Sequence, residues 1–169
     1  MKKVSENLYY RLLSPRIAAI IVALKKDGSP NSMIAAWHMP VSINPPILAV
    51  SISPNRYTHK LILESGEFTI NIPSPLLLDK VIKAGTISGK FYDKSGLFNF
   101  IKSTKLKTPI IEECMGSIEC MVIRGMEVGD HSIILGKVVA VNAKDFDEVW
   151  KTSPLLHLGG DKYAIFHSI

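Results

Sequence analysis

Four side chains able to hold a phosphate fall within six positions: Ser53, Asn55, Arg56 and Thr58 offer hydroxyl, amide and guanidinium donors. An arginine beside Ser and Thr near the start of a helix suits an anion. The guanidinium can bind two oxygens at once, and the first N–H groups of the helix point out of its end. The competing reading is an ordinary capped loop, with Asn55 or Thr58 capping the helix that follows. Only 4 of the 20 basic residues are arginine, which favours a bidentate role for Arg56. Just upstream, Asn31, Ser32, Ile34, Ala35, Ala36 and Trp37 combine small side chains with one large aromatic. Such a run lets backbone amides approach the edge of a flat ligand while the indole supplies a planar surface. Taken alone, it reads as a tight strand crossing. Followed by the Asn44-Pro45-Pro46 turn, an apolar strand and the polar loop, it suits a flat, phosphorylated ligand.

The elements that must position these residues follow from period and punctuation. Ser5 can cap a short helix to about Leu13, with Tyr9, Leu12 and Leu13 on its apolar side. Arg16 to Lys26 reads as one buried strand, ended by the Asp27-Gly28-Ser29-Pro30 turn, and Ile47 to Ser53 as another strand after the proline turn. A helix from Tyr57 to Ser65 closes at Gly66. Glu67 to Ile72 alternates polar and apolar residues and reads as a half-buried strand; Pro75 opens a helix to about Ala84 with Gly85 just past its end.

Residues 85 to 109 are irregular and rich in Lys, Gly and Ser, the pattern of a functional flap or a partner-covered segment. Ser117 to Val128 and Ser132 to Val141 form a long hairpin around Gly129-Asp130. Asp145 to Trp150 reads as a helical turn, and Leu155 to Phe166 as two short strands about Gly159-Gly160. Many strands with only short helices predict a small antiparallel barrel rather than a doubly wound sheet. Neither a Gly-x-Gly-x-x-Gly turn nor a Gly-Lys-Ser/Thr loop occurs, which disfavours a Rossmann dinucleotide site and a nucleotide triphosphatase.

At 169 residues, the expectation is a single domain, 1–169. The composition, 47% hydrophobic and 21% charged, is that of a globular chain. Apolar runs are too short for a membrane span, and Met1 to Asn7 lacks the apolar core of an export signal, so the expected home is the cytoplasm with no membrane partner. Sixteen scattered lysines carry most of the +5 net charge, which argues against a nucleic-acid stripe while suiting phosphorylated ligands. Cys114 and Cys120 read as buried free thiols. His38, His59 and His167 lack the spacing of a metal site, and none is predicted.

Read together, Met33-x-Ala35, Pro-Val-Ser-Ile-Asn-Pro-Pro-Ile at 40 to 47, Val50-Ser51-Ile52 and Asn55-Arg56-x-Thr58 resemble the flavin reductase-like family of the FMN-binding split barrel. Ser-Gly-Lys-x-x-Asp-Lys at 88 to 94, Gly-Asp-His at 129 to 131, and Pro-Leu-Leu-His-Leu-Gly-Gly at 154 to 160 with Tyr163 extend the similarity over roughly residues 10 to 166. Ile34, Ala36 and Trp37 depart from it, standing where the family often has Thr, Ser or Asn.

The resemblance implies a mainly β fold, an antiparallel Greek-key split barrel with a few short flanking helices, and a homodimer with one FMN per subunit near the interface. It places the phosphate on Asn55 to Thr58 and the isoalloxazine edge along Ile34 to Trp37, with the segment Ser88 to Lys94 closing over the cofactor and Lys90 or Lys94 near the phosphate. The competing reading for the lysines is a solvated loop. His131, just past a hairpin turn, would lie near the flavin face and position a nicotinamide or flavin; Asp130 reads most simply as turn chemistry. The implied activity is NADH- or NADPH-dependent flavin reduction. An FMN carrier fed by a protein donor, or a non-enzymatic FMN-binding module, are the alternatives.

Overall fold

The structure is a computed structural model describing residues 1–167. Its strands are β1 (Arg16–Ile17), β2 (Ala19–Leu24), β3 (Pro30–Ala35), β4 (His38–Ser42), β5 (Ile47–Ile52) and β6 (Glu67–Ile72) in the first half. The second half holds β7 (Phe100–Ile101), β8 (Ile110–Ile111), β9 (Gly116–Val128), β10 (His131–Ala143), β11 (Phe146–Asp147), β12 (Val149–Trp150), β13 (Leu156–Gly159) and β14 (Lys162–Ala164). Helix α1 (Tyr57–Ser65) precedes β6, and α2 (Leu78–Thr86) follows it.

Seven strands form one antiparallel sheet in the order β3-β2-β6-β9-β10-β5-β4. Its two edges, β3 and β4, are joined by only Ala36 and Trp37, so the sheet must curl until those edges meet. They meet without a ladder between them. The connector is tied instead to β5, whose Ser51 N–H donates to the Trp37 carbonyl at 2.8 Å. The predicted antiparallel, mainly β architecture is what the chain adopts, with the sheet left open along one seam.

Inside the curl, Ile21, Val50, Ile52, Phe68, Ile70, Cys120 and Ile134 pack with Leu61 and Ile62 of α1. On the outer face, Ile20 and Val22 of β2 pack against Val81 and Ala84 of α2, Phe98 and Ile111. This double burial explains why Ala18 to Ala23 is an unbroken apolar run. Both cysteines are buried free thiols, held up at about 12 first by burial and then by Glu113 beside Cys114 and Glu119 beside Cys120.

α1 and its αL glycine, Gly66 at φ 71°, lie where the sequence predicts. So do the long hairpin and the strand pair around Gly159-Gly160. Other expectations are corrected. The N-terminal segment is a 3-10 helix, Glu6–Leu13, with no buried residue; the Ser5 hydroxyl bonds the Asn7 side chain and caps no backbone N–H. The expected strand from Arg16 breaks at Ala18, whose N–H goes to the Leu155 carbonyl, so β1 joins β13 in a separate small sheet. Gly85 lies inside α2 rather than beyond it. Asp145 to Trp150 is a small hairpin, because Asp145 (φ 49°) and Glu148 (φ 59°) leave the right-handed helical region.

β6 alternates as predicted but is not half-exposed. Its polar face is covered by the 103–111 segment, with Thr69 Oγ1 donating to the Pro109 carbonyl at 2.8 Å and Asn71 Oδ1 accepting from Ile111 N–H at 2.8 Å. Among the described residues, no helix is long and apolar enough to cross a membrane.

Candidate functional site

Two cavities adjoin along the seam and share Met33, Ile34, Asn55 and Arg56 in their walls. The first, about 270 Å³, lies between β3, the start of α1, and the Ala84–Gly89 stretch that ends α2. The second, about 460 Å³, opens over Ile34–Trp37, Ser51–Ser53, His131 and His157. Neither wall contains an Asp or Glu.

The first cavity is built for negative charge. α1 begins with no side-chain cap and no acidic residue in its first turn, so its N-terminal N–H groups and dipole are not neutralised there. Arg56, exposed at the cavity mouth, and buried Thr58 border that helix end. Opposite them Lys94 is 3% exposed, its ammonium donating to the Ser32 carbonyl at 2.9 Å and the Ala84 carbonyl at 2.7 Å. An ammonium carries three N–H groups, so one is left over. Burial first, and the Arg56 charge second, bring this lysine down to about 8. Positive charge packed this way calls for an anion between the two groups.

Asn31 sits behind this wall, 1% exposed, its Nδ2 donating to Thr58 Oγ1 at 2.8 Å. The loop closes on Asn31 through Gly89: a Cβ there would fall 1.7 Å from Asn31 Oδ1, so only glycine permits the approach. Asn31 Oδ1 and Ser32 Oγ are buried without a hydrogen-bond partner among the described residues. His59, one residue beyond Thr58, bridges from α1 to β10, its Nε2 lying 2.9 Å from Ser132 Oγ; burial pushes its imidazole down.

The second cavity is shaped for a ring. Trp37 is stacked on His131, centroids 4.8 Å apart at 29°, and meets Tyr10 edge-on at 5.6 Å. His131 Nδ1 lies 2.8 Å from the Asp130 carboxylate, a contact that holds Asp130 below its ordinary range. His157 Nε2 donates to the Gly160 carbonyl at 2.8 Å, with its ring against Tyr163. Small side chains at Ala35 and Ala36 leave the β3 edge low enough for a planar group to lie against backbone.

Of the residues singled out by sequence, Ile34, Ala35, Ala36, Trp37, Ser51, Ile52, Ser53, Asn55, Arg56, Thr58, Lys94 and His131 line the groove. Asn31 and Ser32 stand behind it, fully buried. Lys90 does not reach it: it is exposed, with its ammonium 5.5 Å from the Phe91 ring centre. Ser88 and Gly89 line the groove as part of the segment expected to close over the cofactor, whereas sequence reasoning missed Met33, Tyr57, Ala84 to Ile87 and His157 as lining residues. Met33 and His157 had a usable signal, since each belongs to a quoted motif; Tyr57 had none.

The Flavin reductase like domain family model matches residues 11–165. An uncharacterized protein of Archaeoglobus fulgidus is 38% identical over 141 residues, 82% of this chain and 78% of that one. A flavin reductase (NADH) of Kitasatospora aureofaciens is 27% identical over 133 residues, 75% of this chain and 65% of that one. Among solved structures, a flavoredoxin from Methanosarcina acetivorans superposes with TM-score 0.89 at 29% identity, covering 100% of this chain and 92% of that one.

Proposed function

The chain belongs to the flavin reductase-like family, and on that premise we propose that it binds FMN along the seam and reduces flavin with NADH or NADPH. One observation carries the reading: the two adjoining cavities are acid-free, cationic at one end and walled by the stacked Trp37 and His131 at the other. The residues fit FMN on the chemistry of their donors. Arg56, Thr58 and the uncapped start of α1 would hold the phosphate, with Lys94 adding charge from the far wall. The Ile34–Trp37 edge would take the isoalloxazine ring. The open sheet is then read as the family's split barrel, in one domain.

When bound, the flavin supplies the ring that accepts a hydride, so little acid–base work falls to the protein. Its residues bind and orient. Arg56 and Thr58 fix one end of the ligand, and backbone groups at the seam fix the other. Trp37, braced by His131 and Tyr10, forms a rigid wall beside the ring and keeps water from that side. His131 lines the space above, where a nicotinamide would dock. The exposed apolar side of the Glu6–Leu13 helix, with Tyr9, Leu12 and Leu13, suits a second copy of the chain, and the active form is read as a homodimer.

The likeness to flavoredoxin supports a second reading, an FMN carrier that exchanges electrons with a protein partner. One experiment separates the two. Purified protein is expected to carry an FMN spectrum that NADH or NADPH bleaches within seconds in the absence of air. A stable yellow protein under those conditions supports the carrier, and failure to bind FMN at all overturns both.

A further inference from the structure

His131 and His157 reach the second cavity from different elements, the start of β10 and the middle of β13. Each has one ring nitrogen engaged. His131 Nδ1 faces the Asp130 carboxylate at 2.8 Å, and His157 Nε2 faces the Gly160 carbonyl at 2.8 Å. A carboxylate and a carbonyl can only accept, so the imidazole N–H of each histidine is spent on its protein partner. In a neutral imidazole the other nitrogen then carries a lone pair. His131 Nε2 and His157 Nδ1 have no hydrogen-bond partner among the described residues.

From this we infer that His131 and His157 act as two hydrogen-bond acceptors that select a flat ligand bearing an N–H or O–H donor over one bearing a carboxylate. The inference rests on the flavin reductase reading in one respect: there the matching donor is the carboxamide NH₂ of the nicotinamide, which carries two N–H groups. A carboxylate in the same place would bring lone pairs against lone pairs in a partly desolvated cavity, which leaves both sides unsatisfied. Arg56 does not supply this discrimination, because a guanidinium favours the carboxylate. His131 and His157 are thus positioning residues in different strands that line one cavity. The rigidity of each ring supports this, since His131 is stacked on Trp37 and His157 is set edge-on to Tyr163.

The test uses the flavin-loaded protein at about pH 8, above the ordinary imidazole range. The probes are 1,4,5,6-tetrahydro-NAD, which cannot donate a hydride, and its nicotinic acid counterpart. Benzamide and benzoate form a second pair that needs no dinucleotide site. Calorimetry is expected to give a preference of about tenfold or more for the carboxamide in each pair. His157→Phe and His131→Phe keep a ring but remove the acceptor; each should cost the carboxamide severalfold without weakening the carboxylate, which loses a repulsive neighbour. His131→Phe retains the stack on Trp37 and carries the test if His157→Phe fails to fold. Equal binding of amide and acid, or a preference that survives both substitutions, overturns the acceptor pair. A histidine-dependent preference for benzamide with no dinucleotide binding keeps the pair and overturns the nicotinamide reading instead.

Discussion

The stretch from 85 to 109, which looks uniform in sequence, divides into two halves held by opposite charges. The first half is anchored by a cation: Lys94 reaches into the wall and grips two backbone carbonyls, those of Ser32 and Ala84. The second is anchored by anions. Glu119, fully buried, accepts from the N–H groups of Thr104, Lys105 and Leu106 at 2.7, 2.7 and 3.2 Å. Glu67 accepts from the Thr108 N–H and hydroxyl at 2.6 and 2.8 Å. The carboxylates have found their donors within the chain, so this half is complete as it stands. The lysine has found two acceptors, sits near Arg56, and borders an open cavity. One half is scaffold, and the other is the half proposed to take the ligand's phosphate.

The largest expected effect breaks the scaffold half. Glu119→Ala removes the buried charged acceptor shared by the N–H groups of Thr104, Lys105 and Leu106 and should cost about 3 kcal/mol or more of stability. Urea unfolding measures it, and the molecules that stay folded should bind FMN as before. A loss of FMN affinity with unchanged stability would erase the distinction between the halves. Next in size is Arg56→Ala. Removing a charge-assisted contact of about 1.5–3 kcal/mol should weaken FMN by tenfold to a hundredfold. Riboflavin, which lacks the phosphate, should bind the variant and the parent alike; an equal loss for both would return Arg56 to a purely structural role. Gly89→Ala comes third. Its Cβ cannot share space with Asn31 Oδ1, so the loop must shift, at a cost of about 1–3 kcal/mol. Both flavins should lose affinity together, because the whole wall moves.

The same contrast shows what the sequence could and could not disclose. α1 and Gly66 were legible because a helix and its αL cap are written in neighbouring residues, as was the hairpin turn at Gly129. The alternation of β6 was legible too, but its burial was not. Glu67, Thr69 and Asn71 look solvent-facing until the 103–111 backbone is laid over them, and that contact joins residues some 40 positions apart. Arg56 and Thr58 could be placed in one site because they lie in one loop. Lys94 could be suspected from its motif, yet its clamp on Ser32 and Ala84 belongs to the tertiary fold. Lys90, four residues earlier in the same motif, points elsewhere, and no local pattern separates the two lysines.

The smallest expected effect is a pH dependence that sharpens the comparison, because affinity and stability should move in opposite directions. Lys94 falls from an ordinary 10.5 to about 8 in the folded protein, chiefly through burial. Between those values the unfolded chain holds more protons than the native one, so this group makes the ligand-free protein more stable as pH rises from about 8 toward 10.5. Below about 8 the lysine is charged in both states and its burial penalty stays constant. The flavin phosphate is fully ionised across the whole range, its second pKa being about 6. As Lys94 loses its proton, the cavity loses positive charge facing that phosphate. FMN affinity should therefore drop severalfold between about pH 7 and about pH 9.5, while riboflavin affinity stays flat. Lys94→Met should remove the slope, with FMN held weakly at every pH. A decline shared by riboflavin would point to general loosening of the wall, and Lys94 would then join Glu119 as scaffold.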